Sequence, residues 1–171
     1  MVQVYGASCE KGTGHAAAHA LLAAAWRRVT GAPPPPLART AQGKPYFPGG
    51  ALEFSLSHTR TAAVCALSGA AVGVDAETIR PLRPGIAARC LNAAELDWLS
   101  AQAAQETAFF RLWTAKEAWT KLLGTGLQGC PAAVDLREAV KDVRFQSRIW
   151  GNAVVTVCTR APGPAAWLLP E

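Results

Sequence analysis

The sequence predicts an α+β fold, and three observations predict it. Short runs with β-type patterning and long Ala/Leu-rich runs follow one another as strand–helix–strands, then helices–strands. The 171 residues are one domain's length, or that of two small packed parts, and 50% are hydrophobic, enough for a core. The stretches on either side of residue 72 are alike in plan, so the chain divides into an N-terminal half, 1–72, and a C-terminal half, 73–171.

Residues 2–7 read as a strand. "HAAAHALLAAAWRRV" (15–29) reads as a helix that ends in basic residues and is stopped by Gly31. The prolines at 33–36 make a stiff connector too short to separate domains. "EFSLS" (53–57) alternates apolar and polar, which predicts a half-buried strand. "AAVCAL" (62–67) and "AAVGVDA" (70–76) flank Ser68-Gly69 and predict a hairpin. Asn92, with Glu95 three residues on, predicts a capping box for the helix "AAELDWLSA". A longer helix runs from Gln105 to Leu123, closed by Gly124 and Gly126. "DVRFQSRIW" (142–150) and "AVVTVCT" (153–159) predict a hairpin turning at Gly151-Asn152, with "AWLLP" as a last edge strand.

No apolar run approaches the ~20 residues of a membrane span. The start, "MVQVYGASCE", lacks the basic flank and apolar centre of a secretory signal, so a soluble cytoplasmic chain is expected. Cys9, Cys65, Cys90, Cys130 and Cys158 are scattered and never form CxxC, which argues against a disulfide framework or a zinc site. The net charge of +5 favours an acidic partner, whether nucleic acid, phosphates or an acidic protein. His15 and His19 stand at i, i+4 without a third ligand and read as helix surface.

Three clusters carry chemistry. In "GVDAETIRP" (73–81), strand alternation sends Val72 and Val74 to the core, and Gly73, Asp75 and Glu77 to the other face. Two carboxylates there are either a solvated strand end or a pair sharing one hard cation through oxygen. In "FFRLWTAKEAWTKLLGTGL" (109–127), Trp113, Glu117 and Lys121 share a helix face, as an ordinary ion pair or as the floor of a cleft. Lys44 of "GKPYF" and Ser57-His58 of "SLSHT" are residue types that bind phosphate oxygens.

Read in order, "GKPYF…FSLSHT…VGVDAE…FFRLWTAKEAWTKLLGTGL" resembles the 4′-phosphopantetheinyl transferase superfamily, and within it the surfactin-synthetase-activating branch. The resemblance covers 43–127 well and extends more weakly to both ends. It implies two similar α/β halves with the active site in the cleft between them. It also implies transfer of phosphopantetheine from coenzyme A to a serine of an acyl- or peptidyl-carrier protein, releasing adenosine 3′,5′-bisphosphate. By the same resemblance Asp75, Glu77 and Glu117 match Mg²⁺ ligands, and Lys121 matches the lysine near the pyrophosphate. Ser57 and His58 match phosphate contacts, and Lys44 the lysine at the nucleotide end. Lys11, Arg27 and Arg28 are the candidates for the basic contacts that longer relatives carry near the N-terminus. The mid-chain GVD fits a monomer of two fused halves rather than the trimeric holo-carrier-synthase branch. Glu117, Lys121 and His58 are thus the expected catalytic residues.

Carriers of this kind are acidic around their serine. Arg80 and Arg83 in "TIRPLRPG", with Ile86 or Leu91 as an apolar anchor, are the expected docking site. A reading of another class is a non-catalytic basic module that binds coenzyme A or nucleic acid. The acidic triad speaks against it, since carboxylates repel phosphates unless a cation bridges them. No nucleic-acid or membrane partner is expected.

Overall fold

The computed structural model describes residues 1–126 and 131–170. Strand β1 (Val2–Ser8) leads into helix α1 (Gly14–Thr30), and the short strands β2 (Ala38–Arg39) and β3 (Pro45–Tyr46) precede β4 (Glu53–His58) and β5 (Ala62–Ser68). Then follow β6 (Val72–Thr78) and helices α2 (Ile86–Cys90), α3 (Ala93–Ser100) and α4 (Gln105–Leu123). After a 3-10 turn at Pro131–Ala133 come α5 (Leu136–Ala139), β7 (Arg144–Trp150), β8 (Ala153–Thr159) and β9 (Ala166–Leu168). The mixed α+β class is as the sequence predicts. Cys130 and Leu127 lie outside the described residues.

One sheet has the order β4–β5–β1–β9, the other β6–β8–β7, and β2 pairs with β3 alone. Alternation along the strands builds the layers. Val4, Val64 and Ala66 point one way and meet Val72, Val74, Val155 and Val157 of the second sheet. Tyr5, Cys65 and Leu67 point the other way, under Leu22, Ala25 and Trp26 of α1. The outer face of the second sheet is covered by α4, whose Ala118 and Leu122 pack with Cys158. Helix α1, two sheets and α4 therefore stack in that order. Residues 166–168 pair in parallel with β1, so the end of the chain lies in the first sheet, at its edge.

The capping box forms as read: Glu95 N donates to Asn92 Oδ1 (3.0 Å) and Asn92 N to Glu95 Oε2 (2.9 Å). The hairpin of β7 and β8 forms too. The hairpin expected across Ser68-Gly69 does not. Both edges of β5 are already taken, by β4 and β1, so the chain crosses to the second sheet, where β6 pairs with β8. The half-buried reading of β4 also fails. Ser55 and Ser57 are 7% and 8% exposed, because their hydroxyls accept the N–H groups of Val74 (3.0 Å) and Ala76 (3.2 Å). Two serine rungs thus join β4 to β6, which share no backbone ladder.

Candidate functional site

Asp75 and Glu77 leave β6 on the face that α4 covers. Gly73 permits that cover: a Cβ there would lie 1.9 Å from the Ala118 carbonyl oxygen, so the helix rests directly on strand backbone. Asp75 is 6% exposed, which removes the solvated-strand-end reading for it. Its Oδ1 accepts from Ser57 Oγ (2.8 Å) and from Lys121 Nζ (2.7 Å). Its Oδ2 is buried without a hydrogen-bond partner. A buried carboxylate oxygen left bare costs free energy, and in native proteins it calls for a ligand or a function.

Lys121 also donates to the Leu56 (3.3 Å) and Val74 (3.2 Å) carbonyls. It therefore bridges β4 and β6, and the helix ion pair with Glu117 allowed by their spacing is replaced by a contact across the seam. Glu117 is half-buried. Burial first, then the charges of Asp75 and Glu77, hold its carboxyl above the ordinary glutamate range, with Lys121 opposing. Glu77 pairs with Arg80 (3.1 Å), which also donates to Thr78 O (3.0 Å) and lies 4.8 Å over the Phe110 ring.

Three carboxylates thus gather at one seam, and an all-oxygen donor set suits a hard cation such as Mg²⁺. Asp75, Glu77 and Glu117 are the residues that could hold it, and the bare Asp75 Oδ2 fits that role. Among the described residues no three His, Cys, Asp or Glu side chains converge closely enough to hold a metal in this arrangement. Arg80 draws Glu77 outward and Lys121 occupies Asp75 Oδ1.

Beside the seam are two cavities. One, of about 350 Å³, is lined by His15, His19, Arg39, Ser57, His58 and Lys121, with no carboxylate among its lining residues. The other, about 960 Å³, shares His15 and His58 and continues past Lys11, Glu77, Arg80 and Arg83. The chain's three histidines therefore cluster, with ring centroids of His15 and His19 at 4.6 Å and of His15 and His58 at 6.4 Å. Desolvation, then His15 and Arg39, push the His19 pKa down. His15 and His19 lie on the surface of α1 as read, and from there they line a basic trough; the i, i+4 spacing of two histidines was the available signal for it. Arg39 and Gly73 gave no comparable signal, beyond a glycine inside a strand pattern.

Lys11 lies on that trough, whereas Arg27 and Arg28 are exposed at the opposite end of α1, about 18 Å from His15 at 1.5 Å per residue. Lys44 lies nearer, and with Ser55, Leu56 and Lys121 it lines a shared surface. Its Nζ donates to Leu122 O at the end of α4 (2.9 Å), and burial lowers its pKa. A third cavity, about 260 Å³, places Arg80, Arg83 and Ile86 with Phe109, Phe110 and Trp113. Leu91 is 2% exposed and packs under Leu99 and Phe109, so it is core rather than a surface anchor. Burial drives the Cys65 and Cys158 thiols up to about 12. No helix among the described residues is long and apolar enough to cross a membrane.

Part of the chain is similar in sequence to known proteins. The chain is 39% identical over 87 residues to the 4′-phosphopantetheinyl transferase gsp of Aneurinibacillus migulanus, covering 50% of this chain and 36% of the relative. With 4′-phosphopantetheinyl transferase psf-1 of Bacillus pumilus it shares 45% identity over 76 residues, 43% of this chain and 33% of the relative. The 4′-phosphopantetheinyl transferase HetI of Nostoc sp. is 33% identical over 96 residues, 51% of this chain and 40% of the relative. The aligned stretch thus spans well under half the length of each relative. A family model for the 4′-phosphopantetheinyl transferase superfamily matches residues 71–168, more than half the chain, and includes β6, α4 and all three seam carboxylates. The chain belongs to the 4′-phosphopantetheinyl transferase superfamily.

Proposed function

We propose that this chain transfers the 4′-phosphopantetheine group of coenzyme A to a serine of an apo acyl- or peptidyl-carrier protein. The observation that carries the reading is Asp75: buried, paired with Lys121 and Ser57 through one oxygen, and bare on the other. Family membership and the basic trough beside it support the same conclusion.

In this reaction the serine oxygen bonds to the phosphorus that carries pantetheine. The bond from that phosphorus to the oxygen bridging to the adenosine bisphosphate breaks, and adenosine 3′,5′-bisphosphate leaves. Such a step is catalysed mainly by positioning and charge neutralisation. Asp75, Glu77 and Glu117 would hold Mg²⁺, which when bound offsets the charge of the pyrophosphate. Glu117, with its raised pKa, receives the serine proton, directly or through water. Lys121 and His58 face the pyrophosphate, and Lys11, His15, His19 and Arg39 line the trough for the rest of the nucleotide. Lys44 supports the nucleotide end indirectly, by tying its loop to α4.

The two sheet-and-helix units form two similar halves with the site at their seam. The chain is read as a monomer working in the cytoplasm. Arg80 and Arg83 steer an acidic carrier to the seam, with Ile86 as the apolar anchor. Arg80→Glu/Arg83→Glu should therefore raise KM for the carrier several-fold at low salt and leave KM for coenzyme A unchanged; an unaltered carrier KM removes the docking site. The deciding experiment is incubation with coenzyme A, Mg²⁺ and a panel of apo carriers, read by mass. A gain of one phosphopantetheine on a carrier is the expected result. No gain on any carrier, with coenzyme A still bound, would point to a binding module.

A further inference from the structure

Lys116 is the largest fully buried side chain described, at 0% exposure, and it points away from the seam. Its ammonium spends all three protons: on Glu95 Oε2 (2.7 Å), Cys90 O (3.1 Å) and Pro131 O (3.1 Å). Those acceptors lie at the end of α2, on α3, and at the start of the 3-10 turn Pro131–Ala133. The same Glu95 oxygen also accepts from Asn92 N, so one carboxylate closes the capping box of α3 and the tie to α4. A buried ion pair of this kind is seldom a net source of stability, because desolvating both charges offsets their attraction. Its effect is geometric. Lys116 and Glu117 are consecutive, about 100° apart around the helix, so whatever fixes the roll of α4 at Lys116 fixes where Glu117 faces.

We propose that Lys116, held by Glu95, Cys90 O and Pro131 O, is a positioning residue that sets the roll of α4 and so aims the Glu117 carboxylate at Asp75. The inference rests on the three-carboxylate reading of the seam above. Phe109, Phe110 and Leu91 fill the space between α4 and α2–α3, and the fully buried Lys116, its stem packed and its ammonium on three fixed acceptors, adds directional contacts to that packing. The tie also runs through Cys90 and Asn92 on either side of Leu91, and so links α4 to the segment that begins with Ile86.

The test is Lys116→Met/Glu95→Gln, which removes both charges together, leaves no buried charge unpaired, and keeps an acceptor for the capping box. Mn²⁺ binding, followed by its spin-resonance signal, serves as a readout independent of turnover. Expected are a melting temperature close to wild type, Mn²⁺ affinity weakened about tenfold, and kcat reduced roughly 10- to 100-fold, with KM for coenzyme A unchanged. Unchanged Mn²⁺ affinity and kcat overturn the proposal, as does a loss of both that merely tracks a falling melting temperature. If the double variant does not fold, Lys116→Met alone decides, since Glu95 keeps its capping bond to Asn92 N and part of its solvent contact: its Mn²⁺ affinity must fall while its melting temperature holds. Wild-type protein that binds Mn²⁺ yet modifies no carrier overturns the transferase reading and leaves the positioning inference standing on the metal data. Wild-type protein that binds no Mn²⁺ overturns the inference.

Discussion

Helix α4 carries two lysine–carboxylate pairs of the same 2.7 Å length on different sides. Towards α2–α3, Lys116 and Glu95 are sealed, with exposures of 0% and 12%, and the Glu95 oxygen of the pair also closes the capping box. Towards β6, Lys121 keeps 30% of its surface, and Asp75 holds one oxygen in use and one bare. The first pair is complete and fixes a helix. The second is incomplete, is crowded by Glu117 and Glu77, and borders the basic cavity of His15, His19 and Arg39 through Lys121. Length alone does not separate the two pairs; the bare Asp75 oxygen does.

The largest expected effect breaks the incomplete pair. Asp75→Asn keeps the shape but loses the charge, and transfer should fall about 1000-fold with the stabilisation by Mg²⁺ lost; turnover within tenfold of wild type would remove Asp75 from the site. Asp75→Ala is the poorer test, because Asp75 is packed and bonded as well as charged, and its loss would strand Ser57 and Lys121. Next is Gly73→Ala, which forces α4 off β6 and so strains the Lys121 side while leaving the Lys116 side tied. Its added methyl meets backbone that cannot yield, and should cost about 3 kcal/mol, or roughly 6–12 °C in Tm. A variant as stable as wild type would show that the close approach is not required.

The smallest effect sharpens the comparison through pH. The pKa of Glu117 in the folded state is raised, so its ionised form opposes folding. That cost is fully present above the raised value and vanishes below the ordinary glutamate range, where both states are protonated. Glu117→Gln should therefore raise Tm at neutral pH without Mg²⁺, with the gain shrinking as pH falls. Adding Mg²⁺ should reverse the order of the two proteins. A Tm difference independent of pH would mean that Glu117 is not crowded by charge.

Much of the second sheet was legible because local signals agreed there. Alternation placed Val72 and Val74 inside and Asp75 opposite, Asn92 and Glu95 announced their cap, and Gly151-Asn152 their turn. What escaped depends on partners far apart in sequence. Ser55 and Ser57 read as the wet side of β4 because nothing local says that β6 will present its N–H groups to them. Leu91 looked like surface because its cover, Leu99 and Phe109, comes from later helices. Lys116 sits inside the stretch that carried the family resemblance and still gave no sign of burial, since its acceptors are mostly backbone carbonyls.

The serine rungs between β4 and β6 have a mechanical consequence. Within each sheet the strands are clamped by rows of rigid amides, so sliding one strand past the next breaks several bonds together. Between β4 and β6 the links are side chains: the Ser55 and Ser57 hydroxyls, each on a single rotatable bond, and the Lys121 ammonium on its long stem. A hydroxyl can swing and keep its partner while the strands shift by a fraction of an ångström. The joint beneath the trough is accordingly the compliant part of a stiff molecule. It can give slightly without a rung of either ladder being lost.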